Sequence, residues 1–302
     1  MPVTTSQIPS LLVPGIRKVK GLYREMDTQW KKIYAVGNSN MESERTVHVR
    51  YLGLPQLKLA GTPTQMDNLS GQRFTWSHLH VVFSLGYAFT EEALDDNLYK
   101  SAFDAANLGL ARSFRQMKEI NGAAPLNTGN VLNATIGGDN LPLFSTSHPV
   151  DGYSVPNTPF TPMGLNENTL AGVNNMIRRF RDEAGLLAGF QGKKLVVPVE
   201  QRHAAKRLME TELRPGTTNN DVWSLKESDD LRDGYVVMDF LTSPYAWFVL
   251  SDAGGLICLD RKPFRTEIQT DWATNNLMVK GTERYYIGWD DWRCGVGVYS
   301  TN

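Results

Sequence analysis

Cysteine is nearly absent. The chain of 302 residues holds two, Cys258 and Cys294, with no Cys-x-x-Cys pair. Two cysteines cannot build a disulfide framework, and a zinc or redox motif finds little support. The core must therefore come from packing, in a chain that matures in a reducing compartment. An excess of one charge is also lacking: 31 Lys+Arg stand against 32 Asp+Glu, a net charge of -1. A free-standing nucleic-acid binder normally carries a basic excess. No apolar run is long enough to span a bilayer. The best, residues 235–250, is broken by Asp239 and Pro244 and falls short of the roughly 20 residues required. Residues 1–10 lack the basic start, apolar run and cleavage site of a secretory signal. These absences give the expectation of a soluble protein made in the cytoplasm, with no membrane partner. Neither phosphate-binding glycine motif occurs, and there is no internal repeat. What is present is a 41% hydrophobic, 21% charged composition, which belongs to a folded chain. The length suits about two domains.

Periodicity places the elements. Ile16, Val19, Tyr23, Met26, Trp30 and Ile33 share one helical face. The helix they predict either lies on its own domain or is an arm that docks on a neighbouring subunit. Residues 44–52 alternate as a strand, with Val47, Val49 and Tyr51 on one side and Thr46, His48 and Arg50 on the other. A second strand is expected over 72–89, where Leu79, Val81, Phe83, Leu85, Tyr87 and Phe89 form an apolar row. About twenty residues rich in Gly and Pro lie between them. Structureless loops of that length are uncommon inside compact domains. A projecting two-stranded extension explains the stretch better, and such a hairpin needs something to lie on.

A long helix follows over 90–121, with Thr90 as N-cap, Glu91 and Glu92 in the first turn, and Asn121-Gly122 as a stop signal. Gly109 permits either a close contact or a bend. Residues 125–162 read as loops and short strands. Residues 166–213 read as helix, strand, helix, and the helices span 166–184 and 198–213. Apolar strands follow at 235–241 and 246–250. The stretch 256–299 is strand-rich and aromatic, better suited to packing or a subunit interface than to stacking nucleic-acid bases, since it lacks interleaved basic residues.

Candidate chemistry is sparse. His78 and His80 point to one face of a strand, a spacing that can hold a metal. Metal-dependent hydrolases on eightfold barrels use such a pair with later Lys, His, His and Asp, and Lys100, His148, His203 and Asp252 occur in a compatible order. The chain lacks the eight strand–helix repeats of that barrel, so histidines on a sheet surface are the favoured reading. Ser145, Ser147 and His148 lack the Gly-x-Ser-x-Gly elbow and read as a polar turn before Pro149. No catalytic residue, metal ligand or cofactor site is assigned.

The order of elements resembles the tailed-phage major capsid protein, the HK97-like fold. FTWSHLHVVFSLGYAFTEEALDDNLYK (residues 74–100) resembles the strand-into-helix segment of Mu-like major head subunits. LPLFSTSHP (141–149), KLVVPVEQRHAAKRLMETELRPGTTNND (194–221) and YAWFVLSD (245–252) resemble later segments of the same subunits. The resemblance implies an α+β capsid fold and a structural protein, not an enzyme. Residues 1–43 would be the N-terminal arm and 44–89 the hairpin called the E-loop. Residues 90–165 and 256–302 would form the peripheral domain, with its spine helix over 90–121. Residues 166–255 would form the axial domain. Copies would assemble as pentamers and hexamers into an icosahedral shell around double-stranded DNA, in the cytoplasm of a bacterial host. The candidate assembly residues are Trp30, Ile33, Leu54, Gln56, Leu57 and Lys58.

The spine helix begins near residue 90, leaving no room for a scaffolding segment before it. A separate scaffolding protein is therefore expected, together with a portal and decoration proteins. No Lys–Asn crosslink is predicted, because Lys58 has no identifiable acceptor. Near-zero charge fits a container that must touch its DNA weakly and non-specifically, since each neutralised phosphate strengthens binding by releasing counterions. The alternatives are a hydrolase using His78 and His80, or a minor phage structural protein.

Overall fold

The computed structural model describes residues 19–50, 52–64, 66, 72–95, 99–133, 138–210 and 230–300. Ile16, Arg17, Lys18, Tyr51, Leu98 and the Pro-Gly-Thr turn at 215–220 lie outside the described residues.

Two four-stranded sheets organise the chain. The first has the order β1-β10-β11-β4, from Ala35–Asn38 (β1), Val81–Phe89 (β4), Leu256–Thr270 (β10) and Leu277–Trp289 (β11). The second has the order β12-β9-β7-β8, from Gly192–Val197 (β7), Tyr235–Val237 (β8), Trp247–Ser251 (β9) and Gly295–Val298 (β12). Ser43–Val49 (β2) and Gln72–Leu79 (β3) pair antiparallel as a separate hairpin, and so do His148–Val150 (β5) and Tyr153–Val155 (β6). The α+β class expected from the sequence is the one found. The last strand, β12, joins the second sheet rather than the first.

The second sheet is buried on both sides, which explains its unbroken apolar strands. Alternation divides its side chains. Val196, Phe248, Leu250 and Val236 enter a core shared with Trp30, Leu126 and Trp289. Leu195, Val197, Trp247, Val249, Val296 and Val298 enter a second core with Leu170, Val173 and Ile177. Those three lie on Glu167–Arg178 (α4), whose start is fixed by a reciprocal capping box between Asn166 and Thr169. This helix ends at Arg178, short of the expected 184. Beyond it the Asp182 carboxylate accepts the amides of Ala184 and Leu186 and holds a turn instead. Arg202–Glu210 (α5) follows β7 and buries Ala205.

The expected strand over 72–89 is two strands. The chain changes sheet at His80, β3 pairing with β2 and β4 with β11. The period-two row continues through the change, so periodicity alone could not reveal it.

The N-terminal helix is likewise shorter than its periodicity implied. Residues 19–25 are helical (α1), and the turn at Asp27-Thr28 ends the run. A 3-10 turn, Trp30–Lys32, comes next. Val19 is buried against Leu110, Ala111, Phe114 and Phe264. For residues 19–34 the structure therefore shows a segment lying on its own domain.

The long helix is described as Glu91–Asp95 (α2) and Tyr99–Asn127 (α3). The 29 residues of α3 span about 44 Å. It passes the expected stop at Asn121-Gly122 and ends at Asn127. Gly122 serves packing: a Cβ there would sit 2.6 Å from the Trp30 Cβ. Carbonyls of the last turns find partners in two hydroxyls, since Tyr34 donates to Gly122 at 2.8 Å and Tyr299 to Leu126 at 2.6 Å. A Cβ at Gly109 would meet nothing within 4 Å among the described residues, so no close contact requires this glycine.

These two glycines should respond oppositely to alanine. Helix propensity favours alanine by about 1 kcal/mol at an open site, so Gly109→Ala should raise stability. At Gly122 overpacking of about 1–3 kcal/mol should outweigh that gain and leave the variant less stable than the wild type. Urea unfolding followed by tryptophan fluorescence checks both; stabilisation by Gly122→Ala would contradict the packing role.

Candidate assembly surface

The arm is fastened to α3 by three consecutive anchors. The Arg115 guanidinium donates to the Met26 carbonyl at 2.6 Å. Glu119 accepts the amides of Gln29 and Trp30 at 3.0 and 3.1 Å, a carboxylate at the start of a helical turn, where the exposed amides favour negative charge. Between them the Lys118 ammonium lies 2.7 Å from both Asp260 and Glu283. It also sits over the rings of Trp30 and Tyr285. The Tyr23 hydroxyl donates to Glu283 at 3.0 Å. Burial opposes the charge on Lys118, yet the two carboxylates outweigh it and raise its pKa. One side chain thus joins the arm, the long helix and both strands of the β10–β11 hairpin.

The β2–β3 hairpin presents its polar and aromatic side to this body. His48, Trp76 and His78 face inward; Val47, Val49 and Leu79 face solvent. Both histidines at 78 and 80 are buried, not on a sheet surface as expected. His78 Nε2 is 2.9 Å from the Thr46 hydroxyl, and His80 Nε2 is 3.0 Å from the Ser39 hydroxyl. Burial lowers the pKa of both, that of His78 to about 4. Among the described residues no group of three or more His, Cys, Asp or Glu side chains could hold a metal ion. Of the other residues in the hydrolase pattern, His148 pairs with Asp139 at 2.6 Å and stacks on Trp292. His203 lies on exposed α5, and Asp252 accepts the Gln191 amide. The side chain of Lys100 lies outside those described. Ser145 is buried in the same segment as His148, where its amide donates to Asn157. Cys258 and Cys294 are buried free thiols.

The six candidate assembly residues separate into two groups. Trp30 is 1% exposed and Ile33 packs beside it in the chain's own core. Their inward placement corrects the expectation that they present a docking face. The helical spacing was real, but the face it marked belongs to the subunit itself. Leu54, Gln56, Leu57 and Lys58 are exposed on the extension beyond β2, with Leu54 at 73% and Leu57 at 91%. Leu52, Leu59 and Met66 are exposed with them. The sequence alone did not single out the apolar surface running back toward the body through Val47, Val49, Leu79, Val81 and Leu85. The alternation of β2 and β4 marked those rows without saying which side was wet. A groove of about 390 Å³ between β3–β4 and the end of α3 continues this surface, lined by Leu79, Val81, Phe83, Ala124 and Pro125 among others. The cluster of exposed leucines at 52, 54, 57 and 59 is the kind of apolar surface that marks an interaction site.

A family model described as phage capsid protein matches residues 81–298. The chain belongs to the phage capsid protein family. Solved structures agree on the fold. The mature capsid protein of bacteriophage PhiM1 is 12% identical with a TM-score of 0.55, covering 92% of this chain and 88% of that one. A virus-like particle from Pyrococcus furiosus is 10% identical with a TM-score of 0.52, covering 95% and 98%. The capsid of Myoviridae phage XM1 is 12% identical with a TM-score of 0.52, covering 91% and 95%. No curated protein matches the chain in sequence. This phage major capsid protein has the HK97-like fold and is a structural protein of the virion shell. None of its described helices is long and apolar enough to cross a membrane.

The Lys118 anchor makes a direct prediction. Lys118→Ala leaves two carboxylates facing each other without their shared cation, and breaking a buried pair in this way costs about 3–5 kcal/mol. Urea unfolding should show that loss; a change below about 1 kcal/mol would remove Lys118 as the anchor of the arm.

Proposed function

We propose that the capsid protein assembles as pentamers and hexamers into an icosahedral shell, and that its hairpin is the E-loop lying over a neighbouring copy. The observation that carries this reading is the extension beyond β2, where Leu52, Leu54, Leu57 and Leu59 stand 58–91% exposed among the described residues. Burying such side chains is worth about 1.5–3 kcal/mol each, and in a shell every copy can bury them on the next. Gln56 and Lys58 flank the leucines and would supply the polar rim of that contact.

In this reading α3 and the first sheet form the peripheral domain. Residues 166–255 together with β12 form the axial domain at the capsomer centre. The segments at 74–100, 141–149 and 194–221 support a place near the Mu-like head subunits. Assembly in the cytoplasm of a bacterial host, with a separate scaffolding protein, a portal and decoration proteins, goes with that place. The charge balance of -1 supports weak, non-specific contact with packaged double-stranded DNA.

Leu54→Asp combined with Leu57→Asp tests the reading. Both side chains are exposed, so the variant should keep its secondary structure and unfolding midpoint. Sedimentation velocity should then show capsomers or shells replaced by small species. Normal shells from the double variant would remove the hairpin from the contact.

A further inference from the structure

A second cluster of charges sits where the hairpin leaves the body. The Glu183 carboxylate, in the turn after α4, is nearly sealed from solvent and faces two guanidiniums and an imidazole. Arg293 lies 2.9 Å away, the Arg73 Nε of β3 at 3.5 Å and the His48 Nδ1 of β2 at 3.7 Å. Asp291 lies 3.2 Å from Arg293 and 3.9 Å from His48. Arg73 also donates to the Glu183 carbonyl, and Arg293 to the Arg181 carbonyl. Farther along β2, Arg50 pairs with Asp151 at 3.0 Å. His48 itself packs on Trp76, ring centres 4.4 Å apart.

The charges facing His48 come from three elements. Arg73 comes from β3 and Glu183 from the turn after α4. Asp290, Asp291 and Arg293 come from the segment after β11. Glu183 and Asp291 both lie within 4 Å of the His48 Nδ1, at 3.7 and 3.9 Å, so a protonated His48 is paired with two carboxylates. Neither Glu183 oxygen has a well-directed hydrogen bond among the described residues. The carboxylate is held by charge rather than by aligned donors, so the contact depends on every charge being present.

We propose that His48, Glu183, Asp291, Arg73 and Arg293 form a pH-sensitive latch that holds the hairpin against the body. Burial works against the charge on His48, but Glu183 and Asp291 outweigh it, so its pKa lies above the ordinary 6.5. The stabilisation from a raised histidine is fully present below that ordinary value and is lost as pH rises through the folded value. Glu183 shifts the other way. Burial raises its pKa, while His48, Arg293 and Arg73 lower it further, to below 4.5. Its stabilisation is present above 4.5 and disappears as pH falls through the folded value. The latch is closed between these limits and loosens on either side. Its consequence for the shell rests on the reading that the hairpin lies on a neighbour: the latch would set the angle at which the hairpin reaches that copy.

Hydrogen–deuterium exchange of the full-length protein reads the latch within one subunit. Rates are corrected for the intrinsic pH dependence of amide exchange, with the α4 amides as internal reference. Protection of β2 and β3 should fall about fivefold or more between about pH 6 and about pH 9. His48→Gln should show the low protection throughout that range, and His48→Arg the high protection throughout. A wild-type profile that stays flat, or a His48→Gln profile that keeps the wild-type slope, overturns the proposal. If His48→Gln does not fold, the wild-type and His48→Arg profiles decide alone. Failure here leaves the leucine contact standing, and failure of the leucine contact leaves this measurement unchanged.

Discussion

The hairpin turns its valines and leucines outward and its histidines and tryptophan inward, and that orientation constrains everything else. Ordinary strands on a body bury the apolar side. Here the inward side is occupied by charge and ring contacts at His48, Trp76 and His78, which fix the register. A one-residue slip would exchange the two faces. With that side committed, Val47, Val49 and the leucines beyond them stand exposed on the single subunit. A two-stranded ribbon is marginal alone, so the hairpin is tied to the body at its base, and the proposed shell contact would give its tip a neighbour to lie on.

A projecting hairpin is useful only if the body holding it is rigid. The long helix supplies that rigidity by collecting distant segments. Arg115, Lys118 and Glu119 grip the arm, and Lys118 reaches strands β10 and β11 at the same time. The second sheet then shares one of its faces with this assembly through Val196, Phe248 and Leu250. Its other face is closed by α4. The two sheets are therefore joined through a common core, and a load on the hairpin is carried into both.

Local features of this fold were legible and long-range ones were not. Strand alternation at 43–49, the apolar run at 247–251 and the helical periodicity of α3 all leave marks in the sequence. Gly122 was legible as a glycine but not in its purpose, because a helix stop and a close approach to Trp30 ask for the same residue. The change of sheet at His80 left the period-two pattern intact. Lys118, Asp260 and Glu283 are ordinary charges in the sequence and become a unit only when strands far apart in the chain pair. Glu183 and His48 are likewise joined only by the fold. The exposure of the leucines in the extension agrees with a sequence stretch too long for a compact loop; the burial of Trp30 was not readable, because an inward and an outward helical face share one spacing.

The proposed contact requires one copy to leave part of its apolar surface to another. Electron microscopy of the purified full-length protein at high concentration tests this most directly. Closed shells, or rings with fivefold and sixfold symmetry, are the predicted result. A monodisperse compact monomer under the same conditions would contradict it.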